Sequence, residues 1–193
     1  QQMLKNQIRE LSAILLTHEH YDHVAGLDDV RPLGHTHIYA SQKVLERVQM
    51  NMPYAFVKNE FRLNLPSFTL HTLSSNKFRV GEWEAETLLL THMHTDVLGF
   101  KFQDLAYMTD FNFISAAVLK KIKGIKTLVI DALRIKPHPS HNSLEQALEI
   151  IKQVKPKRAY LIHMSHGIGL HEEVQKILPA NVFLSYDGLK INL

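Results

Sequence analysis

The run Leu15-Leu16-Thr17-His18-Glu19-His20-Tyr21-Asp22-His23 constrains this chain more than any other stretch. The apolar residues Ala13 to Leu16 read as a buried strand, which delivers four metal-ligand side chains within six residues. In an extended segment residues i and i+2 face the same way, so His18 and His20 can share one ion. Asp22 and His23 then open a helix, where the turn aims them at a neighbouring point. Imidazole nitrogen and carboxylate oxygen both suit divalent ions of the zinc type, so one short segment can serve two adjacent metals. A lone histidine is more often a hydrogen-bonded core or surface residue, but four ligands at this spacing after a strand are poorly explained that way.

Along the chain, short β-branched or leucine-rich runs alternate with amphipathic stretches, the pattern of strands crossing to helices in an α/β protein. Strands are predicted over Ala13 to Leu16, His37 to Ala40, Phe68 to Leu73, Glu84 to Leu90, Gly99 to Phe102 and Leu105 to Met108. Three more follow at Thr127 to Ile130, Arg158 to Ile162 and Val182 to Leu184. Helices are predicted to begin near Asp22, Ser41, Ser115, Ser143 and Leu170. The one from Ser143 is clearest: Ser143 can cap it, Leu144, Ala147, Leu148 and Ile151 form one apolar face, and it ends before Pro156. Gln49 to Pro66 carries prolines, asparagines and aromatics without periodicity, so it reads as a connection forming a lid or pocket wall. Tyr54, Phe56 and Phe61 are its candidate substrate-pocket residues, with core packing as the plain alternative. No repeat, low-complexity tract or linker stands out, and residues 1–193 read as one domain.

Composition removes several function classes. The apolar runs are far shorter than the roughly 18 residues of a membrane span. The N-terminal QQMLKNQIRE lacks the apolar core of a signal peptide, so a cytoplasmic address is the expectation. Cysteine is absent, which leaves imidazole and carboxylate as the metal ligands, and histidine is abundant at 13 of 193 residues. A net charge of +3, from 22 basic and 19 acidic residues, speaks against polymeric nucleic acid as a partner. Lys120, Lys121 and Lys123 read as a solvated helix end.

The HxHxDH run resembles the signature of the metallo-β-lactamase superfamily, which contains many phosphodiesterases besides the antibiotic-hydrolysing enzymes. The resemblance implies a four-layer αββα sandwich and two divalent metal ions, zinc or manganese, with nickel also compatible. It further implies a histidine after a later strand, an aspartate after another, and a histidine near the end. Candidates occur in that order. His92 lies in THMHTDVLGF, favoured over His94 by its distance to Gly99 and its closeness to the strand's carboxyl end. Asp110 ends Ala106-Tyr107-Met108-Thr109-Asp110, where a carboxylate would bridge both ions. His163 ends the apolar Tyr160-Leu161-Ile162. The implied arrangement puts His18, His20 and His92 on one ion and Asp22, His23 and His163 on the other.

The stretches THEHYDHVAGLDDVRPL, HPSHNSLEQALE, IHMSHGIGLHEEV and LPANVFLSYDGLKI narrow the resemblance to the PhnP-like subgroup of phosphodiesterases, more distantly similar to tRNase Z. That subgroup implies a role for His141 as proton donor to the leaving oxygen, a task suited to imidazole near neutrality. The plain alternative is an N-cap neighbour fixing the turn around Pro137 and Pro139. His138 reads about equally as a loop residue. His166 corresponds to a residue that can join an additional structural metal site, whose cysteine ligands this chain lacks. His35, His37, His71 and His171 match no motif position and read as structural or exposed. The subgroup also carries several strands ahead of HxHxDH, so the expectation is an N-terminally incomplete domain.

The expected chemistry is hydrolysis of a small, cyclic phosphodiester by a metal-bridging hydroxide, with Asp22 positioning the hydroxide and His141 protonating the leaving alkoxide. Hydrolysis of another ester or thioester is the alternative enzyme reading, and a noncatalytic metal-binding protein is the third. A homodimer is compatible with the sequence.

Overall fold

The computed structural model describes residues 2–57 and 64–192. The chain divides into two compact units, Gln1–Trp83 and Glu84–Leu193.

The first unit opens with a short helix α1 (Gln2–Lys5), then β1 (Ile14–Leu15) and α2 (Tyr21–Val24), which passes into a 3-10 turn over Ala25–Leu33. It continues through β2 (His35–Ala40), α3 (Gln42–Asn51), β3 (Ser67–Thr72) and β4 (Lys77–Val80). Strands β1, β2 and β3 pair in parallel in that order, with Ile14 opposite Ile38 and Ile38 opposite Leu70. Side chains alternate across β2 as a pleated strand requires: Thr36, Ile38 and Ala40 are buried while His35 and His37 are exposed. Ile38 and Ala40 pack with Val44, Leu45 and Val48 of α3 and with Leu16, Val24 and Leu27. Ser41 caps α3 by accepting from the Val44 N–H. Phe56 packs against this core beside Phe68, their ring centroids 6.1 Å apart, so packing explains it better than a pocket wall. Phe61 lies outside the described residues.

The second unit contains β5 (Trp83–His92), β6 (Thr95–Phe102), β7 (Leu105–Met108), β8 (Phe113–Ile114), α4 (Ala116–Ile122), β9 (Thr127–Asp131), α5 (Leu144–Val154), β10 (Arg158–Ile162), α6 (His171–Ile177) and β11 (Val182–Leu184). The sheet runs β11-β10-β9-β7-β6-β5, with β8 also pairing β5. Hairpins make the β5–β6 and β6–β7 pairings antiparallel, and helical crossovers make β7–β9, β9–β10 and β10–β11 parallel. Strand β9 is buried at all five residues, which is why its centre, Leu128 to Ile130, reads as an unbroken apolar run rather than an alternating one. Helix α5 starts with a capping box between Ser143 and Gln146 and buries Leu144, Ala147, Ile150, Ile151 and Val154.

Phe111 is fully buried in this core, just after Asp110. Phe111→Ala is expected to cost about 3–5 kcal/mol in denaturant unfolding of the metal-free protein, through lost burial and the cavity left behind. A loss below about 1 kcal/mol would mean the site collapses freely around the gap. No helix among the described residues is long and apolar enough to cross a membrane.

Candidate metal centre

In the first unit, the HxHxDH run behaves locally as its alternation requires. The rings of His18 and His20 meet edge to face at 4.5 Å, and those of His18 and His23 lie 4.3 Å apart. Glu19, on the intervening position, reaches the other way to Lys43 of α3 at 2.6 Å. Burial pushes the Glu19 carboxyl up, but the Lys43 hydrogen bond and charge outweigh it and hold the group below its usual range. His18 is almost fully buried, with its Nδ1 hydrogen-bonded with Thr17 Oγ1 at 2.9 Å, an anchor that fixes the ring and its tautomer. Asp22 and His23 occupy the first turn of α2, with Asp22 Oδ2 3.3 Å from His23 Nε2.

In the second unit, three strands each end in a candidate ligand. Asp110 follows β7 and His163 follows β10, and both hold φ of 55°. Non-glycine residues seldom adopt this left-handed backbone, and its cost of about 1–3 kcal/mol is tolerated chiefly where function fixes the geometry. His92 closes β5 and is buried, whereas His94 in the following turn is exposed. The acceptor atom Asp110 Oδ1 lies 3.2 Å from His163 Nε2 and 3.7 Å from His141 Nδ1. Thr109 Oγ1 donates to the other carboxylate oxygen, Oδ2, at 2.6 Å. Around His141 the rings of His92, His138 and His163 lie at 4.7, 5.1 and 5.2 Å. His138 is turned to its own loop, its Nδ1 accepting from the Ser140 N–H at 3.3 Å. His166 is exposed at the start of a 3-10 turn, and Ser165 rather than a ligand cluster organises that turn.

Burial is the main reason the His141 ring falls to about 4 from its ordinary 6.5; the Asp110 charge opposes this, while His92, His163 and His138 add to it. The native state of the metal-free protein therefore prefers neutral His141. Its contribution to stability is complete above about pH 6.5 and is lost as pH falls through about 4. Thermal unfolding of metal-free protein should show this acid loss, and His141→Gln should flatten it; an identical profile in the variant would contradict the assignment.

Two asparagines, not anticipated from the sequence, hold these ligand loops together. Asn142 Nδ2 donates to Asp131 Oδ1 at 2.9 Å and to the Phe111 carbonyl at 3.0 Å, and its backbone N–H donates to Asp131 Oδ2 at 3.3 Å. Asn112 accepts from the Met93 N–H at 2.8 Å and donates to the Pro139 carbonyl at 2.9 Å. The loops after His92, after Asp110 and before His141 are thus tied by side-chain amides. Burial drives Asp131 up to about 7, against the lowering effect of the Asn142 hydrogen bonds. Asn142→Ala is expected to lower turnover about 10–100-fold, the usual effect of removing a group that orients a ligand. A wild-type rate in that variant would mean the amide clamp has no catalytic consequence. The sequence signal for both residues is faint: a polar residue immediately after a candidate ligand segment, in a loop at a strand's end.

A family described as a β-lactamase superfamily domain matches residues 1–164. A Porphyromonas gingivalis protein named octanoyltransferase is 38% identical over 198 residues, covering 98% of this chain and 39% of that protein. The chain thus spans about two fifths of that curated relative's length. A solved structure described as a new diphosphatase from the PhnP family is 32% identical, with a TM-score of 0.90 over 99% of this chain and 75% of that one. The short form of human tRNase Z, at 16% identity and a TM-score of 0.67 over 94% of this chain and 78% of its own, shares the fold. On the match over residues 1–164 and the 32% identity across three quarters of a PhnP-family structure, this chain belongs to the β-lactamase superfamily, with the metallo-β-lactamase fold and a place in the PhnP family.

Proposed function

We propose that the chain is a metal-dependent phosphodiesterase acting on a small phosphodiester, with His18, His20, Asp22, His23, His92, Asp110 and His163 as ligands of two divalent ions. The observation that carries this reading is the convergence of two proposed ligands, Asp110 and His163, with the proposed proton donor His141, their side-chain atoms lying within 4.8 Å of one another. The donor set fits zinc or manganese, with nickel also compatible, because imidazole and carboxylate suit all three. When bound, such ions supply Lewis acidity toward the phosphoryl oxygens and a water of lowered pKa.

The chain's own residues supply orientation and the proton. Thr109 occupies Asp110 Oδ2 and leaves Oδ1 to face His163 and His141. The Asn142 clamp fixes the loop that carries His141, the residue proposed to protonate the leaving oxygen. In the first unit a cavity of about 220 Å³ is lined by Tyr21, Asp28, Met52 and Tyr54, and Tyr54 donates to Asp28 Oδ1 at 2.9 Å. A cavity of that size beside two tyrosines suits one ring of a compact substrate rather than a polymer. The small net charge of +3 agrees, since RNA processing relies on many phosphate contacts.

Hydrolysis assays on the full-length, metal-loaded protein test the reading. Cyclic nucleotides or ribose cyclic phosphates should be cleaved well ahead of a precursor tRNA. The identity to a protein named octanoyltransferase favours a second reading, cleavage of an acyl ester or thioester by the same residues. Faster turnover of an octanoyl thioester than of any phosphodiester would replace the first reading with the second.

A further inference from the structure

The face of β2 and β3 opposite Ile38 and Ala40 carries a second histidine cluster that the motif pattern leaves unused. His37 Nδ1 and His71 Nε2 are 2.9 Å apart, on neighbouring parallel strands. Tyr39 stacks on the His71 ring at 4.3 Å and 11°, and Phe78 stacks on Tyr39 at 5.9 Å, so the His71 plane is held from one side. His35 stands edge-on to His37 at 5.5 Å, and its own nitrogens hydrogen-bond with Ser67 Oγ and Thr69 Oγ1, both at 2.8 Å. His35 is therefore already committed and serves as a wall.

We propose that His37 and His71 form an accessory site for one borderline divalent transition-metal ion, chelated by His37 Nδ1 and His71 Nε2, with water completing its coordination. The spacing is the first support. Two nitrogens each about 2.05 Å from an ion lie about 2.9 Å apart at a right angle and about 3.3 Å apart at a tetrahedral one. The observed 2.9 Å thus suits a six-coordinate or tetragonal ion directly, and zinc after a small opening. Access is the second support: His37 is exposed and His71 is half-buried, so solvent can reach both nitrogens. Burial lowers the proton affinity of His71 and favours the neutral form a metal requires. With both rings neutral, the proton between the two nitrogens moves to the far nitrogen of its own ring and leaves both facing nitrogens for the ion. Hard ions such as magnesium or calcium are excluded by an all-nitrogen pair. An ion held there would link β2 to β3 and raise the unfolding temperature of the loaded protein.

The inference is independent of the catalytic reading, and its test keeps the two separate. Zinc uptake by the full-length protein is measured by calorimetry and imidazole NMR for wild type, His37→Gln, His71→Gln and Asp110→Asn. Wild type and Asp110→Asn should take up one ion that both His37→Gln and His71→Gln lack, with metal-dependent shifts on the His37 and His71 rings. Hydrolysis of bis-p-nitrophenyl phosphate should be the same in wild type, His37→Gln and His71→Gln. Equal zinc uptake by wild type and the two glutamine variants, or an absence of ring shifts at His37 and His71, would overturn the site.

Discussion

His141→Ala is expected to lower kcat about 10²–10⁴-fold on an alkyl phosphodiester, the range that loss of a general acid entails. The loss should be small on bis-p-nitrophenyl phosphate, because a nitrophenolate departs without a proton. His141 lies against His92 and His163 and 3.7 Å from Asp110, close enough to the candidate ligands to reach a leaving oxygen. In the free protein its ring is neutral at pH 7, held near 4 chiefly by burial. An anionic phosphodiester placed against the ring opposes that depression, and the donor role requires that substrate binding restore the ring's proton. For the alkyl substrate, wild-type kcat should fall on the alkaline side as the bound complex loses this proton, and that limb should vanish in the variant. A purely structural role would slow both substrates alike. Equal losses on the two substrates would remove His141 from the proton-transfer step.

A larger effect is expected from Asp110→Asn. Asparagine keeps the shape of the side chain and tolerates the left-handed φ of 55° at this position, so the backbone need not move. The substitution removes the charge on which His163 Nε2 and His141 Nδ1 converge at 3.2 and 3.7 Å. Replacing a group that merely orients a ligand costs about 10–100-fold in metal affinity or activity, so losing a carboxylate proposed as a ligand itself should cost more than about 100-fold. Metal content by plasma emission and kcat on bis-p-nitrophenyl phosphate should fall together, while the metal-free variant unfolds cooperatively near the wild-type temperature. Wild-type metal content and rate would exclude Asp110 from the centre.

The central strands, such as Thr127–Asp131 and Arg158–Ile162, were legible because uninterrupted apolar cores such as Leu128 to Ile130 and Ala159 to Ile162 have few other uses in a chain this size. Helix α5 was legible from its cap, its apolar face and Pro156 together. Strands β4 and β8 were not. Lys77–Val80 alternates charge with only two apolar residues, and Phe113–Ile114 is two residues long with Phe113 exposed, so neither carries a period. The candidate ligands could be read because HxHxDH and Thr-Asp follow apolar strands. The amides of Asn112 and Asn142 could not, because their role depends on loops distant in sequence, as in the 31 residues separating Asn142 from Phe111. Phe56 shows the opposite limit: an aromatic in an irregular connection carries no mark that separates a pocket wall from core packing, and here it joins the core. His37 and His71 lie 34 residues apart, and only the parallel register of β2 and β3 brings their nitrogens together.

The most direct test of the central claim is metal stoichiometry joined to turnover. Full-length protein dialysed against zinc or manganese and freed of loosely bound ions on His37→Gln background should retain two ions per chain and hydrolyse a small phosphodiester. A chelator should abolish turnover, and adding the metal back should restore it. Retention of fewer than two ions by the active protein, or phosphodiester hydrolysis that survives complete chelation, would contradict the dinuclear assignment.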